Sequence, residues 1–108
     1  MTASPVLTQP YSQWTAANIS VAASGDNAGI PGVAGQVTRV FALALTAASP
    51  VDIILRNGAS TLGIFQGVSA MVLDPFGGPR WVMTAAATFV ISLSSGVAVK
   101  GTVWYTQD

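Results

Sequence analysis

Apolar and polar positions along the chain alternate with a period of two in several separate stretches. That is the spacing of a strand with one face buried, because successive side chains leave opposite faces. Trp14 to Val21 places Ala17, Ile19 and Val21 on one face. Gln36 to Thr46 alternates Phe41, Leu43 and Leu45 with Ala42, Ala44 and Thr46. Val51, Ile53 and Leu55 alternate with Asp52, Ile54 and Arg56, and Asn57-Gly58 follows as a tight-turn signal. Thr61 to Val68 and Ala70 to Leu73 form two more candidate strands, split near Gly67, and Trp81 to Thr84 forms a short one. Thr88 to Ser94 puts Phe89, Ile91 and Leu93 on one face. Val97 to Thr106 puts Val97, Val99, Val103 and Tyr105 on one face, with Lys100, Thr102 and Thr106 opposite.

The competing reading is a helix over VFALALTAA, since Ala and Leu are good helix formers. No helix cap frames that stretch and Pro50 closes it, so a strand is expected. Ala23 to Gly35 carries Gly25, Gly29, Pro31, Gly32 and Gly35 and reads as a loop. The segment Asp74-Pro75-Phe76-Gly77-Gly78-Pro79 reads as irregular. About eight short antiparallel strands separated by turn signals predict an all-β domain, a β-sandwich or jelly roll, over residues 14–108. Residues 1–13 hold Pro5 and Pro10 and show no usable periodicity, which predicts an extended N-terminal arm.

Charge changes this picture. Of 108 residues only 7% are charged, namely Arg39, Arg56, Arg80, Lys100, Asp26, Asp52, Asp74 and Asp108. Soluble domains average about 25%. A surface covered by Ala, Gly, Ser, Thr and Val suits a chain whose faces are buried against copies of itself or a partner. A symmetric homo-oligomer is therefore expected, a trimer first and a dimer second. Net charge is zero and the basic residues are scattered, so neither nucleic acid nor an anionic membrane surface is an expected partner. The N-terminus lacks the basic start of a signal peptide, and the longest purely apolar run, Val40 to Leu45, is far short of a spanning helix.

Candidate chemistry is sparse. The chain has no His, Cys or Glu, which removes the commonest general base, the best nucleophile and the thiolate metal ligands. Asp26, Asp74 and the terminal Asp108 read as turn residues that bond their own backbone. Ser94 or Ser95 with Lys100 reads as a Ser-Ser-Gly turn before a solvent-facing Lys rather than a Ser-Lys pair. The Gly-rich stretch GDNAGIPGVAG lacks a Walker ending, and Asp26 with Asn27 is too small a cluster for calcium. No catalytic, cofactor or metal residue is therefore assigned, and the chain is not expected to be an enzyme.

The aromatics point instead to contact. Trp81 reads as a core plug at a strand start. Trp104 falls on the outer face with Lys100, Thr102 and Thr106, where it is either covered by the arm or part of an interface. Trp14 and Tyr11, in or beside the arm, could anchor it to a neighbouring subunit. Val6 and Leu7 add apolar surface to the arm, completing the set of interface candidates.

The later two thirds has a further quality. GQVTRVFALALTAASPVDIILRNGASTLG, SAMVLDPFGGPRWV and TAAATFVISLSSGVAVKGTVWYTQ together resemble small proteins of tailed-phage structural-gene clusters. Gly35, Arg39 and Val40, then Asn57-Gly58, Gly77-Gly78, Trp81, Thr84-Ala85-Ala86, Leu93-Ser94 and Gly101 to Tyr105 fall in the same order. Phe76 stands where those proteins often have Asn or Asp, and Trp81 where they often have Phe. Residues 1–34 lie outside the resemblance. It implies a jelly-roll decoration or cement protein of a bacteriophage, made in the bacterial host cytoplasm and carried on the outer surface of the virion. The major capsid protein would be its partner, and the resemblance brings no cofactor and no site residues. Two rival readings remain: a carbohydrate-binding module in which Trp104 and Trp81 stack on sugar rings, and another phage part such as a head fibre, tail or baseplate component.

Overall fold

The computed structural model describes residues 14–75 and 77–108. Within them the chain is all-β. Its strands are β1 (Thr15–Val21), β2 (Gly25–Ile30), β3 (Thr38–Asn57), β4 (Ser60–Leu73), β5 (Trp81–Val82), β6 (Phe89–Leu93) and β7 (Val99–Gln107). Every pairing is antiparallel.

The topology follows from the length of β3. Its first half, Thr38 to Ala47, pairs with β7, and its second half, Ile53 to Asn57, pairs with β6. On its other side β4 runs back along both halves. Outside these, β1 pairs with β7 and β2 with β6. Dividing β3 and β4 at their middles gives two four-stranded sheets. One is β1, β7, the start of β3 and the end of β4; the other is β2, β6, the end of β3 and the start of β4. This nesting is the connectivity of an eight-stranded jelly roll, with β3 and β4 each serving both sheets. The short β5 continues the β4 margin beside Arg39 and Val40.

The divide within β3 and β4 has a local cause. Proline offers no N–H to a ladder and is tolerated where pairing is interrupted. Pro50 lies in the stretch between Thr46 and Val51 where the β3–β4 register shifts. The sequence pattern ends a strand at Pro50, whereas β3 continues through it as the bend between sheets. Across the bend Gly67 takes φ +60°, and its N–H donates to Asp52 Oδ1 at 2.8 Å. The neighbouring tier is tied to the same corner, with Ala48 N–H donating to Ala98 O and Ser94 N–H to Asp52 O.

One expected loop is a strand. Gly25–Ile30, inside the Gly-rich stretch, forms β2 at the edge of the second sheet. Glycine disfavours a strand intrinsically, but this segment gains a ladder against β6, interrupted only at Gly29, and the burial of Ile30. Gly29 also allows close approach, since a Cβ there would lie 3.0 Å from Phe89 O. Asp26 is accordingly a strand residue and not a turn residue, 3.7 Å from Arg56 Nε.

The inward positions converge on one cluster. Ile19, Ile30, Leu43, Leu45, Ile53, Leu55, Phe89, Ile91, Leu93, Val99 and Val103 all belong to it. Each fully buried side chain of this size contributes about 1.5–3 kcal/mol relative to exposure. The period-two pattern placed the inward residues of β1, β6 and β7, and Leu43, Leu45, Val51, Ile53 and Leu55 of β3, on the face they occupy. Phe41, which it set beside Leu43 and Leu45, is instead displaced from the core by a register shift, and Val40 takes the inward place. The Asn57-Gly58 turn is also present: Asn57 pairs with Ser60, and Gly58 takes φ +60°.

Candidate interaction surface

The outer face of the first sheet is built by register. Ala16, Trp104 and Ala42 stand side by side across β1, β7 and β3. The next row is Asn18, Thr102, Ala44 and Val72, and the one after it Ser20, Lys100, Thr46 and Ala70. Small apolar groups and hydroxyls fill these rows, with Lys100 their one formal charge. Trp104 therefore lies where the alternation placed it, among Lys100 and Thr102, and is half-buried.

A register shift between Val40 and Ala42 sets up the aromatic part of this face. It leaves Phe41 as the extra residue of a bulge, and bulges re-aim side chains. Phe41 and Ala42 are buried yet stand apart from the main core cluster. Trp14, just before β1, stacks on Phe41 with ring centroids 4.5 Å apart and planes at 21°. Offset stacking of this kind adds about 0.5–1.5 kcal/mol beyond area burial.

Trp14 and Trp104 then share a shallow groove of about 290 Å³, completed by Ala42, Asp74 and Pro75. Two of the interface candidates are thereby brought together. Val6, Leu7 and Tyr11 fall outside the described residues, as does the expected extended arm. Trp81 does not line the groove; it packs on the core and stacks on Phe89 at 6.3 Å, with Arg80 lying 5.9 Å from its ring.

A second apolar feature was not anticipated. Ile64, Val72 and Val82 are 62%, 66% and 55% exposed, and all three lie on the β4–β5 margin. Among the described residues this margin pairs only with β3. The signal was present in the sequence: Leu62 to Phe65 carries apolar residues on both faces of the strand, more than one core can bury.

The charges are dispersed, and among the described residues two pairs of them are neutralised in place. Arg39 pairs with Asp108, Arg56 with Asp26, and Arg80 donates to the Asp74 carbonyl at 2.8 Å. Asp52 holds the Gly67 bulge, and Ser94 Oγ accepts from Asp52 N–H. Exposed pairs of this type are worth about 0–1 kcal/mol each. On the Trp14–Trp104 face Asp74 lines the groove and Lys100 stands two rows away, so this surface is mainly apolar with one charge of each sign. Comparison with family models, curated proteins and solved structures finds no match to this chain.

Proposed function

We propose that the protein is a structural component of a tailed-phage virion, a decoration or cement protein that lies on the outer capsid surface and bridges coat subunits. The observation that carries the proposal is the outer face of the first sheet. There Trp14 and Trp104 share a groove with Ala42, Asp74 and Pro75, beside rows of Ala, Thr and Val side chains in which Lys100 is the one charge. Half-buried Trp residues amid small groups form the kind of anchor that dominates protein–protein interfaces. The jelly-roll connectivity and the order of motifs from Gly35 to Tyr105 support the same reading. The partners would be the major capsid protein and further copies of this chain, as a trimer or a dimer.

The test is binding to capsids that lack the protein, followed by imaging of the decorated particles. Density for the β-sandwich on the capsid exterior is the expected result. Loss of binding in Trp104→Ser, with the fold retained, would locate the contact. Absence of density on any capsid, with density at a tail or baseplate position, would overturn the proposal.

A sugar-binding reading draws on the same groove, where Asp74 could bond hydroxyls beside two indole rings. Trp81, which that reading also requires, is engaged with Phe89 instead. A glycan titration followed by Trp fluorescence separates the two readings.

A further inference from the structure

The β3–β4 turn carries a reactive dipeptide. In an Asn-Gly sequence the glycine nitrogen can attack the asparagine side-chain carbon, because glycine has no side chain to hinder the approach. The Gly58 N–Cγ bond forms, the Asn57 Cγ–Nδ2 bond breaks, and the nitrogen leaves as ammonia with the proton lost from Gly58. Water then opens the resulting succinimide at either carbonyl, giving aspartate or its backbone-lengthened isomer. No oxidant or other co-reactant is needed. Asn18 and Asn27, the other asparagines, precede Ile19 and Ala28 and are more hindered.

Both reacting groups are hydrogen-bonded to the 84–88 loop in the fold. Gly58 N–H donates to Thr88 O at 2.9 Å, so the nucleophile is directed at the 84–88 loop. Thr84 grips the Asn57 carboxamide twice: Asn57 Nδ2 donates to Thr84 Oγ1 at 3.1 Å, and Thr84 N–H donates to Asn57 Oδ1 at 3.2 Å. Cyclisation requires the carboxamide to swing toward Gly58 N, which breaks both contacts with Thr84 and the contact with Thr88.

We propose that Asn57 is a deamidation site masked by the 84–88 loop, and that release of this loop exposes it. Reaction then proceeds only from an opened state, and its rate reports the opening equilibrium. An opening free energy of only about 1.4 kcal/mol already slows the native protein about tenfold relative to the unfolded chain. The modification would place a carboxylate at a hairpin tip of a chain whose net charge is zero.

The experiment is incubation of the full-length protein at mildly alkaline pH, native and in urea, with peptide mass spectrometry of the fragments containing Asn57, Asn18 and Asn27. Thr84→Val, which removes the hydroxyl acceptor but keeps the backbone donor, is followed under native conditions, with circular dichroism to establish that it is folded. The unfolded chain is expected to convert at Asn57 well before Asn18 and Asn27. The native protein should convert more than about tenfold more slowly, and folded Thr84→Val should fall between the two. Should Thr84→Val not fold, the native-to-unfolded ratio at Asn57 decides alone. Equal rates in native and unfolded wild type, or a folded Thr84→Val no faster than wild type, overturn the masking. Failure of Asn57 to outpace the other asparagines in urea overturns the site itself.

Discussion

Replacing Gly101 by alanine should be among the most damaging single-atom changes available in this chain. Gly101 lies in β7 opposite Ile19 of β1 and Leu45 of β3, in the middle of three adjacent strands. A Cβ at this position would sit 1.9 Å from Ala44 O and 2.9 Å from both Ala44 C and Leu45 Cα. All three are backbone atoms, so no rotamer change relieves the clash. Even a close C–H···O contact needs about 3.3 Å, so β3 and β7 would have to part by more than ~1 Å at the centre of their ladder. Overpacking of this kind costs about 1–3 kcal/mol. Each ladder bond weakened adds about 0.5–1.5 kcal/mol. The alanine restricts the unfolded chain and recovers only about 0.4–1 kcal/mol. With two ladder bonds weakened the expected net loss is about 1–6 kcal/mol, a large part of the 5–15 kcal/mol that holds a typical domain. Urea unfolding followed by Trp fluorescence measures it. Two controls share the chemistry without the clash. In Gly63→Ala the new methyl meets only the far end of the Phe65 ring, at 3.0–3.1 Å, and in Gly78→Ala it meets nothing within 4 Å. Both should lose no more than about 1 kcal/mol. A Gly101→Ala protein whose stability lies within 1 kcal/mol of wild type would refute the reasoning.

Three further outcomes follow from the packing. Phe89→Ala removes a fully buried ring that Trp81 stacks on, and should cost about 3–5 kcal/mol with a changed near-UV dichroism signal from the freed indole. Ala86→Gly should be neutral or stabilising by up to about 1 kcal/mol in thermal melts, because Ala86 holds φ 66°, a conformation glycine adopts without strain. A loss as large as that of a glycine placed inside a strand would contradict this. Trp14→Ala should uncover Phe41 and lower stability by about 1–3 kcal/mol, most of it from lost burial and stacking. An unchanged denaturation midpoint would show that the stack contributes nothing.

Much of the architecture is written in the alternation of side chains. Period-two runs through Ala17, Ile19, Val21 and through Phe89, Ile91, Leu93 fix both the strands and the faces they bury, because a strand has only two faces to offer. The same rule placed Trp104 on the outside, and Asn57-Gly58 marked the β3–β4 turn. These are local signals, settled by residues within a few positions of one another. The strand β2 could not be found this way. GDNAGI has poor intrinsic preference for a strand, and only the ladder supplied by β6, distant along the chain, makes it one. The continuity of β3 through Pro50 was equally hidden, since it depends on where β4 and β7 leave gaps in their pairing. The candidate surface divides in the same manner. Trp104 could be singled out as an outward aromatic and Trp14 as an anchor beside the arm, but their meeting depends on the β1–β7 register. The burial of Phe41 beneath Trp14 depends on a one-residue bulge against β7. Sequence determines which face each strand shows; the tertiary structure decides which faces meet, because register between distant strands is set by contacts that no local pattern encodes.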